Sequence, residues 1–154
     1  MNKDGKNLFA LKTYDTKIPS SISSVGKTVS EVINSLQNAC GKLDDDILFD
    51  VRVILNELLL NAIKHGNQQC PEAYIKVTAG ISGDNNAFFI IEDQGQGYDY
   101  ELVRSRNKNQ CCMESLFDAK ETGRGIMIVE SLCEKIKHNR KGNKIVAVKK
   151  ISKD

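Results

Sequence analysis

The sequence predicts an α+β fold, a two-layer sandwich with helices on one face of a mostly antiparallel sheet. Three observations lead there. Segments 22–40 and 47–63, and a third after Gly123, repeat apolar residues at intervals of three and four, as packed helices do. Residues 73–82 and 87–92 alternate apolar and polar side chains around Gly83-Asp84-Asn85-Asn86, the pattern of a hairpin. The elements run strand, helix, helix, hairpin, helix, strand, unlike the regular alternation of a doubly wound sheet.

Residues 8–18, with Leu8, Phe9, Leu11, Tyr14 and Ile18, read as the opening strand. Pro19-Ser20-Ser21 starts a helix whose apolar face includes Val25, Val29, Val32, Ile33 and Leu36, and Cys40-Gly41 should end it. Asp44-Asp45-Asp46 offers caps and negative charge to the positive end of a second helix, Ile47–Ile63, which is apolar round most of its circumference. A polar loop at 67–72 leads into the hairpin. From Asp99 to Gly123 there is little periodicity beyond a short helical turn at Tyr100–Arg104, and a connection of that length in a compact domain is usually a lid or functional loop. Arg124–His138 reads as a third long helix with Ile126, Val129, Leu132, Cys133 and Ile136 inward. Gly142-Asn143 then turns into a last strand, Ile145–Ile151.

At 154 residues the chain fits one domain, expected over 8–151 with residues 1–7 disordered. Such a domain buries about 70% of the surface its unfolded form exposes. The formal net charge of +2 provides no global field for nucleic acid or an anionic membrane. The C-terminal series Lys135, Lys137, Arg140, Lys141, Lys144, Lys149, Lys150 and Lys153 reads mainly as a solvated helix end and edge strand, with a binding patch as the alternative. Five cysteines form no C-x-x-C pair and no histidine cluster accompanies them, which points to a reducing compartment and away from zinc. Cys40 and Cys133 fall at apolar positions of helical patterns and are expected to pack. Cys111-Cys112 lies in the polar connection, open to oxidation. With no apolar run near the about 18 residues of a span and no hydrophobic signal core after Met1, the expected location is cytoplasmic, with no membrane partner.

The second helix carries the most informative feature. Glu57, Asn61 and then Lys64 or His65 recur at four, then three or four, stacking a carboxylate, an amide and a base on one narrow stripe of an otherwise apolar helix. A buried carboxylate is costly unless paired or engaged with cargo. Two readings stay open on this stripe alone: a ligand-holding row, or an ordinary wet face on which Glu57 pairs with Lys64 or another base. Two glycine turns shift the balance. A strand running into Asp93-Gln94-Gly95-Gln96-Gly97 ends in an acid and two glycines, and Gly123-Arg124-Gly125-Ile126 feeds directly into an apolar helix. Either turn alone is a weak signal.

In that order the pieces resemble the GHKL ATPase superfamily, and within it the small anti-sigma-factor serine-kinase branch. The likeness rests on Glu57-x-x-x-Asn61-Ala62-x-x-His65-Gly66, on Asp93-x-Gly95-x-Gly97, and on Gly123-x-Gly125-Ile126, and it covers nearly the whole chain. It implies a Bergerat ATP-binding fold with ATP and Mg²⁺ as cofactors. By that resemblance Asn61 is the Mg²⁺ ligand, a hard oxygen donor to an ion that keeps its waters and phosphate oxygens. Asp93 accepts the adenine exocyclic amine, Gly95 and Gly97 let the backbone approach the nucleotide, and Gly123 and Gly125 do so at the phosphates. The helix beginning at Arg124 and Ile126 donates N–H groups there, and Arg124 itself points either to phosphate or to solvent. Glu57 is the implied general base for a hydroxyl aimed at the γ-phosphate. Lys64, His65 and Lys120 add charge or hydrogen bonds, His65 serving either in that way or as a second metal ligand. Where relatives place a threonine near adenine, the best match here is Lys144.

The implied function is a serine protein kinase that phosphorylates an anti-sigma-factor antagonist and also binds a sigma factor, with no direct contact to nucleic acid. The alternative is a non-catalytic, ATP-dependent protein-binding switch of the same fold. Relatives of that branch commonly pair with a second copy, so a homodimer is a further expectation.

Overall fold

The computed structural model describes residues 13–67, 70, 72–83, 85–95 and 124–152. The first part of the expected opening strand, the 99–123 connection with its helical turn, Cys111-Cys112, Gly97, Lys120 and Gly123 lie outside them. Strand β1 spans Tyr14–Pro19, followed by a 3₁₀ turn at Ile22–Ser24, helix α1 at Val25–Cys40 and helix α2 at Asp45–Asn61. A π-helical turn, Ala62–Gly66, continues α2, and then come β2 (Tyr74–Ser82), β3 (Asn86–Glu92), α3 (Arg124–Leu132), β4 (Lys135–His138) and β5 (Lys144–Lys150). The strands form one sheet in the order β1-β2-β3-β5-β4. Every neighbouring pair is antiparallel. The fold is α+β, and among the described residues no helix is long and apolar enough to cross a membrane.

The local chemistry accounts for the helix ends. Ser21 caps the 3₁₀ turn by accepting the Ser23 N–H at 3.3 Å, so the α-helix proper starts later than the serines imply. Gly41 stops α1 with a φ of +91°, its N–H returning to the Gln37 carbonyl at 2.8 Å. Asp44 precedes α2, and Asp45 and Asp46 sit in its first turn, where negative charge meets the positive end of the helix.

One face of the sheet carries Ile18, Ile75, Val77, Ala79, Phe89, Ile91, Ile145 and Ala147, all buried. Against it pack Val29, Val32 and Leu36 of α1, Ile54, Leu55, Leu58 and Leu59 of α2, and Ile126 and Val129 of α3, in one continuous core. Lys149 lies on this same face and is neutralised by Asp50 of α2 at 2.9 Å.

Two expectations need correction. The third helix ends at Leu132, and Lys135–His138 is a strand. The Glu134 N–H donates to the Val148 carbonyl at 2.8 Å, and Ile136 lies opposite Ala147, so the segment gains a β ladder along the open edge of β5 in place of further helical turns. Cys40 is exposed at the end of α1 and does not pack, whereas Cys133 is half-buried against the core as expected. Of the basic series, Lys135 and Lys137 stand exposed on the edge strand β4.

Candidate functional site

Glu57 and Asn61 stand one turn apart on α2, and Glu57 faces the start of α3. Glu57 is half-buried, and its carboxylate lies so close to Gly125 that a β-carbon there would collide with Oε2. Gly125 is in the first turn of α3, where unpaired N–H groups and the helix dipole favour negative charge. Asn61, the last residue of α2, has a buried Nδ2 with no hydrogen-bond partner. An orphaned buried amide costs about 1–3 kcal/mol, so it marks a place where a ligand or solvent is expected to complete the set.

The π-helical turn redirects the chain after Asn61. The Asn67 N–H reaches back five residues to the Ala62 carbonyl at 2.8 Å, widening the last turn. Gly66 is thereby laid against Asp93, and a β-carbon on Gly66 would run into the Asp93 carboxylate. Gly95 in turn rests on the Gly66 carbonyl, again without room for a side chain. Two of the predicted motifs, distant in sequence, therefore touch through glycine backbone.

Asp93 is 7% exposed. Its Oδ1 accepts the Gly95 N–H at 2.7 Å. Burial pushes the carboxyl above the ordinary aspartate range, opposed by the Gly95 N–H and by the charge of Lys141. It sits immediately after β3, where a strand end can hold a carboxylate at a fixed angle.

The remaining predicted residues are placed as follows. Lys64 is exposed on the π turn and His65 is half-buried there. Arg124 opens α3. Ile126 is 2% exposed, its side chain within the core. Lys144 begins β5 opposite Glu92. Asn67 is the residue that sequence reasoning missed. Only 6% exposed, it accepts the Gln94 N–H at 2.8 Å and donates to the Tyr74 carbonyl at 3.0 Å, tying the turn after Asp93 to β2. Its position directly after the His65-Gly66 pair was the available signal, since a buried asparagine following a helix end commonly bonds backbone.

The sequence model of the family described as histidine kinase-like ATPase domain matches residues 18–149. The chain belongs to that family. Among its relatives, the serine-protein kinase RsbW of Staphylococcus epidermidis is 25% identical over 141 residues, spanning 91% of this chain and 87% of the relative. RsbW of Oceanobacillus iheyensis is 24% identical over 146 residues, spanning 91% and 89%. The anti-sigma F factor of Shouchella clausii is 30% identical over 90 residues, 58% of each chain. The solved histidine kinase domain of the Erythrobacter litoralis EL346 blue-light activated histidine kinase superposes with a TM-score of 0.48 at 15% identity, over 87% of this chain and 62% of that one.

Proposed function

We propose that this member of the histidine kinase-like ATPase family binds ATP with Mg²⁺, transfers the γ-phosphate to a serine of a small antagonist protein, and binds a sigma factor. The observation that carries the reading is the juxtaposition of the Glu57 carboxylate with Gly125, one helical turn from the unpartnered amide of Asn61. The names of the RsbW and anti-sigma F relatives support the choice of phosphoacceptor and partner.

The residues present fit the nucleotide and the ion. Among the described residues no group of three or more His, Cys, Asp or Glu is placed to hold a metal, which suits an ion held by one protein amide and otherwise by water and phosphate. Asn61 would supply its amide oxygen, leaving the orphaned Nδ2 N–H to a phosphate oxygen or a water, and Mg²⁺ when bound would neutralise developing charge on the phosphates. Gly66 packs as bare backbone against Asp93 and Gly95 against Gly66, and the buried carboxylate they hold is the group that accepts the adenine amine. Glu57 orients the acceptor hydroxyl and takes its proton at a carboxylate oxygen, and the first turn of α3 offers N–H groups to the phosphates.

The test is incubation with labelled ATP, Mg²⁺ and antagonist-domain proteins encoded in the same genome. Phosphate on a serine, lost in Glu57→Gln, is the expected result. ATP binding without transfer to any of them would replace the kinase with the binding switch, and absence of ATP binding would remove both.

A further inference from the structure

The turn between β4 and β5 bears no residue that the proposed chemistry uses, yet it is joined to Asp93 by a chain of directed hydrogen bonds. Asn143 grips both backbone groups of Asp93. The Asp93 N–H donates to the Asn143 carbonyl at 2.9 Å, and Asn143 Nδ2 donates to the Asp93 carbonyl at 3.1 Å. The second bond requires the amide to face one way, and Asn139 dictates that orientation: Asn139 Nδ2 donates to Asn143 Oδ1 at 2.7 Å. Asn139 is itself fixed, because its Oδ1 accepts the N–H groups of Gly142, Asn143 and Lys144 at 2.8, 3.0 and 3.2 Å. Gly142 makes the loop possible with a φ of +83°.

We infer that Asn143, oriented by Asn139, is a positioning residue that sets the angle of the Asp93 carboxylate and so the discrimination for the adenine amine. The inference rests on the nucleotide reading above. Gly95 fixes the carboxylate from the far side of the residue, and loss of the Asn143 side chain leaves the Asp93 backbone held there by the bond to the residue 143 carbonyl alone. A bond to a charged acceptor is sensitive to small angular errors, and adenine preference is where that loss is felt.

The experiment measures the affinity of the full chain for ATP and for purine riboside 5′-triphosphate, which lacks only the exocyclic amine. Wild-type protein should prefer ATP. Asn143→Ala should lower ATP affinity about tenfold while moving the analogue less than about twofold, so that the preference collapses. Asn139→Asp keeps an acceptor for the three turn N–H groups but presents a second oxygen to Asn143, reversing its amide. The turn survives, and the same loss of preference is expected with a thermal midpoint near that of wild type. Equal loss for both ligands, or an unchanged preference in both variants, overturns the brace alone. Wild-type protein with no preference for ATP overturns the adenine assignment and the brace with it.

Discussion

Gly125 packs directly on the carboxylate of Glu57, with Oε2 occupying the space that a β-carbon would need. The obstructing atom is the tip of a flexible side chain, so Gly125→Ala should be tolerated by the fold, with Glu57 swinging aside. Alanine also gains about 1 kcal/mol over glycine inside a helix. The expected variant is as stable as wild type or slightly more so, yet at least about tenfold slower in phosphotransfer, since the carboxylate proposed as its base is displaced. Urea midpoints beside single-turnover rates would separate the two effects; a variant that is both destabilised and fully active would contradict the arrangement.

Gly95 differs from Gly125 in what lies over it. A methyl group there meets the carbonyl of Gly66, which is backbone and cannot rotate away. Gly95→Ala is therefore expected to cost about 2 kcal/mol through overpacking. Gly66→Ala meets the Asp93 carboxylate, which yields only by surrendering the Gly95 N–H. The order of urea midpoints should be wild type, then Gly66→Ala, then Gly95→Ala, with nucleotide affinity reduced in both variants.

How much of this was legible in the sequence depends on how far each feature lies from its cause. The α1 and α2 cores followed from apolar periodicity, and Gly41 announced its helix end, because those signals are local. The stretch at Leu132, Cys133 and Ile136 also has helical spacing, but the open edge of β5 captured Lys135–His138, and no glycine or proline marks the break. The π turn after Asn61 was invisible for a similar reason: Gly66 must meet Asp93, a contact that no pattern within α2 encodes. Motif spacing nominated Glu57, Asn61, Asp93 and Gly125 as candidates, and the fold brings Glu57 to Gly125 and Gly66 to Asp93. Asn67 and Asn143 act on backbone groups distant in sequence; the only signal for Asn67 was its place after His65-Gly66, and none pointed to the contact that Asn143 makes.

Asp93 gives the protein a pH-dependent stability. Its carboxyl is raised in the folded state by burial, so folded protein binds the proton more tightly than unfolded protein does. Stability from this group is therefore fully present below the unfolded aspartate value and declines as pH rises through the higher folded value. Asp93→Asn retains an oxygen for the Gly95 N–H and removes the ionisation. At neutral pH, the variant should be at least as stable as wild type and flatter in urea midpoint from the ordinary aspartate range upward, while its ATP affinity falls. A wild-type profile that rises through that window, with the slope lost in Asp93→Asn, would contradict the assignment.

Lys149 and Asp50 join the last strand to α2 beneath the helical layer, with side-chain exposures of 12% and 26%. Lys149→Met leaves Asp50 without its partner in a partly dry place, and about 1–2 kcal/mol of destabilisation is expected, between the costs of surface and buried pairs. The same lysine favours the thiolate of Cys133, whose thiol burial nevertheless pushes to about 11. At pH 8 only about a thousandth of that thiol is ionised, so Cys133 should alkylate far more slowly than the exposed Cys70, and more slowly still in Lys149→Met if the fold holds. Peptide mapping after timed alkylation reads both outcomes.

Asn67 separates the architecture of the site from its chemistry. It touches neither Glu57 nor Asn61 through any hydrogen bond, but its side chain satisfies the Gln94 N–H and the Tyr74 carbonyl at once, and Gln94 Oε1 accepts the Tyr74 N–H at 2.7 Å. The loop after Asp93 is thus fastened to β2 at two points. Asn67→Ala strands both partners and should cost about 2 kcal/mol, with weaker nucleotide binding as the Gly95 turn loosens. Asn67→Asp keeps the acceptor for Gln94 and abandons the donor to Tyr74, so it should recover part of the stability at neutral pH. A double substitution with Gln94→Ala tests whether the two residues act as one fastening: the combined loss in urea midpoint should be smaller than the sum of the single losses, because each already releases the same loop. Additive losses would mean that the loop is held elsewhere.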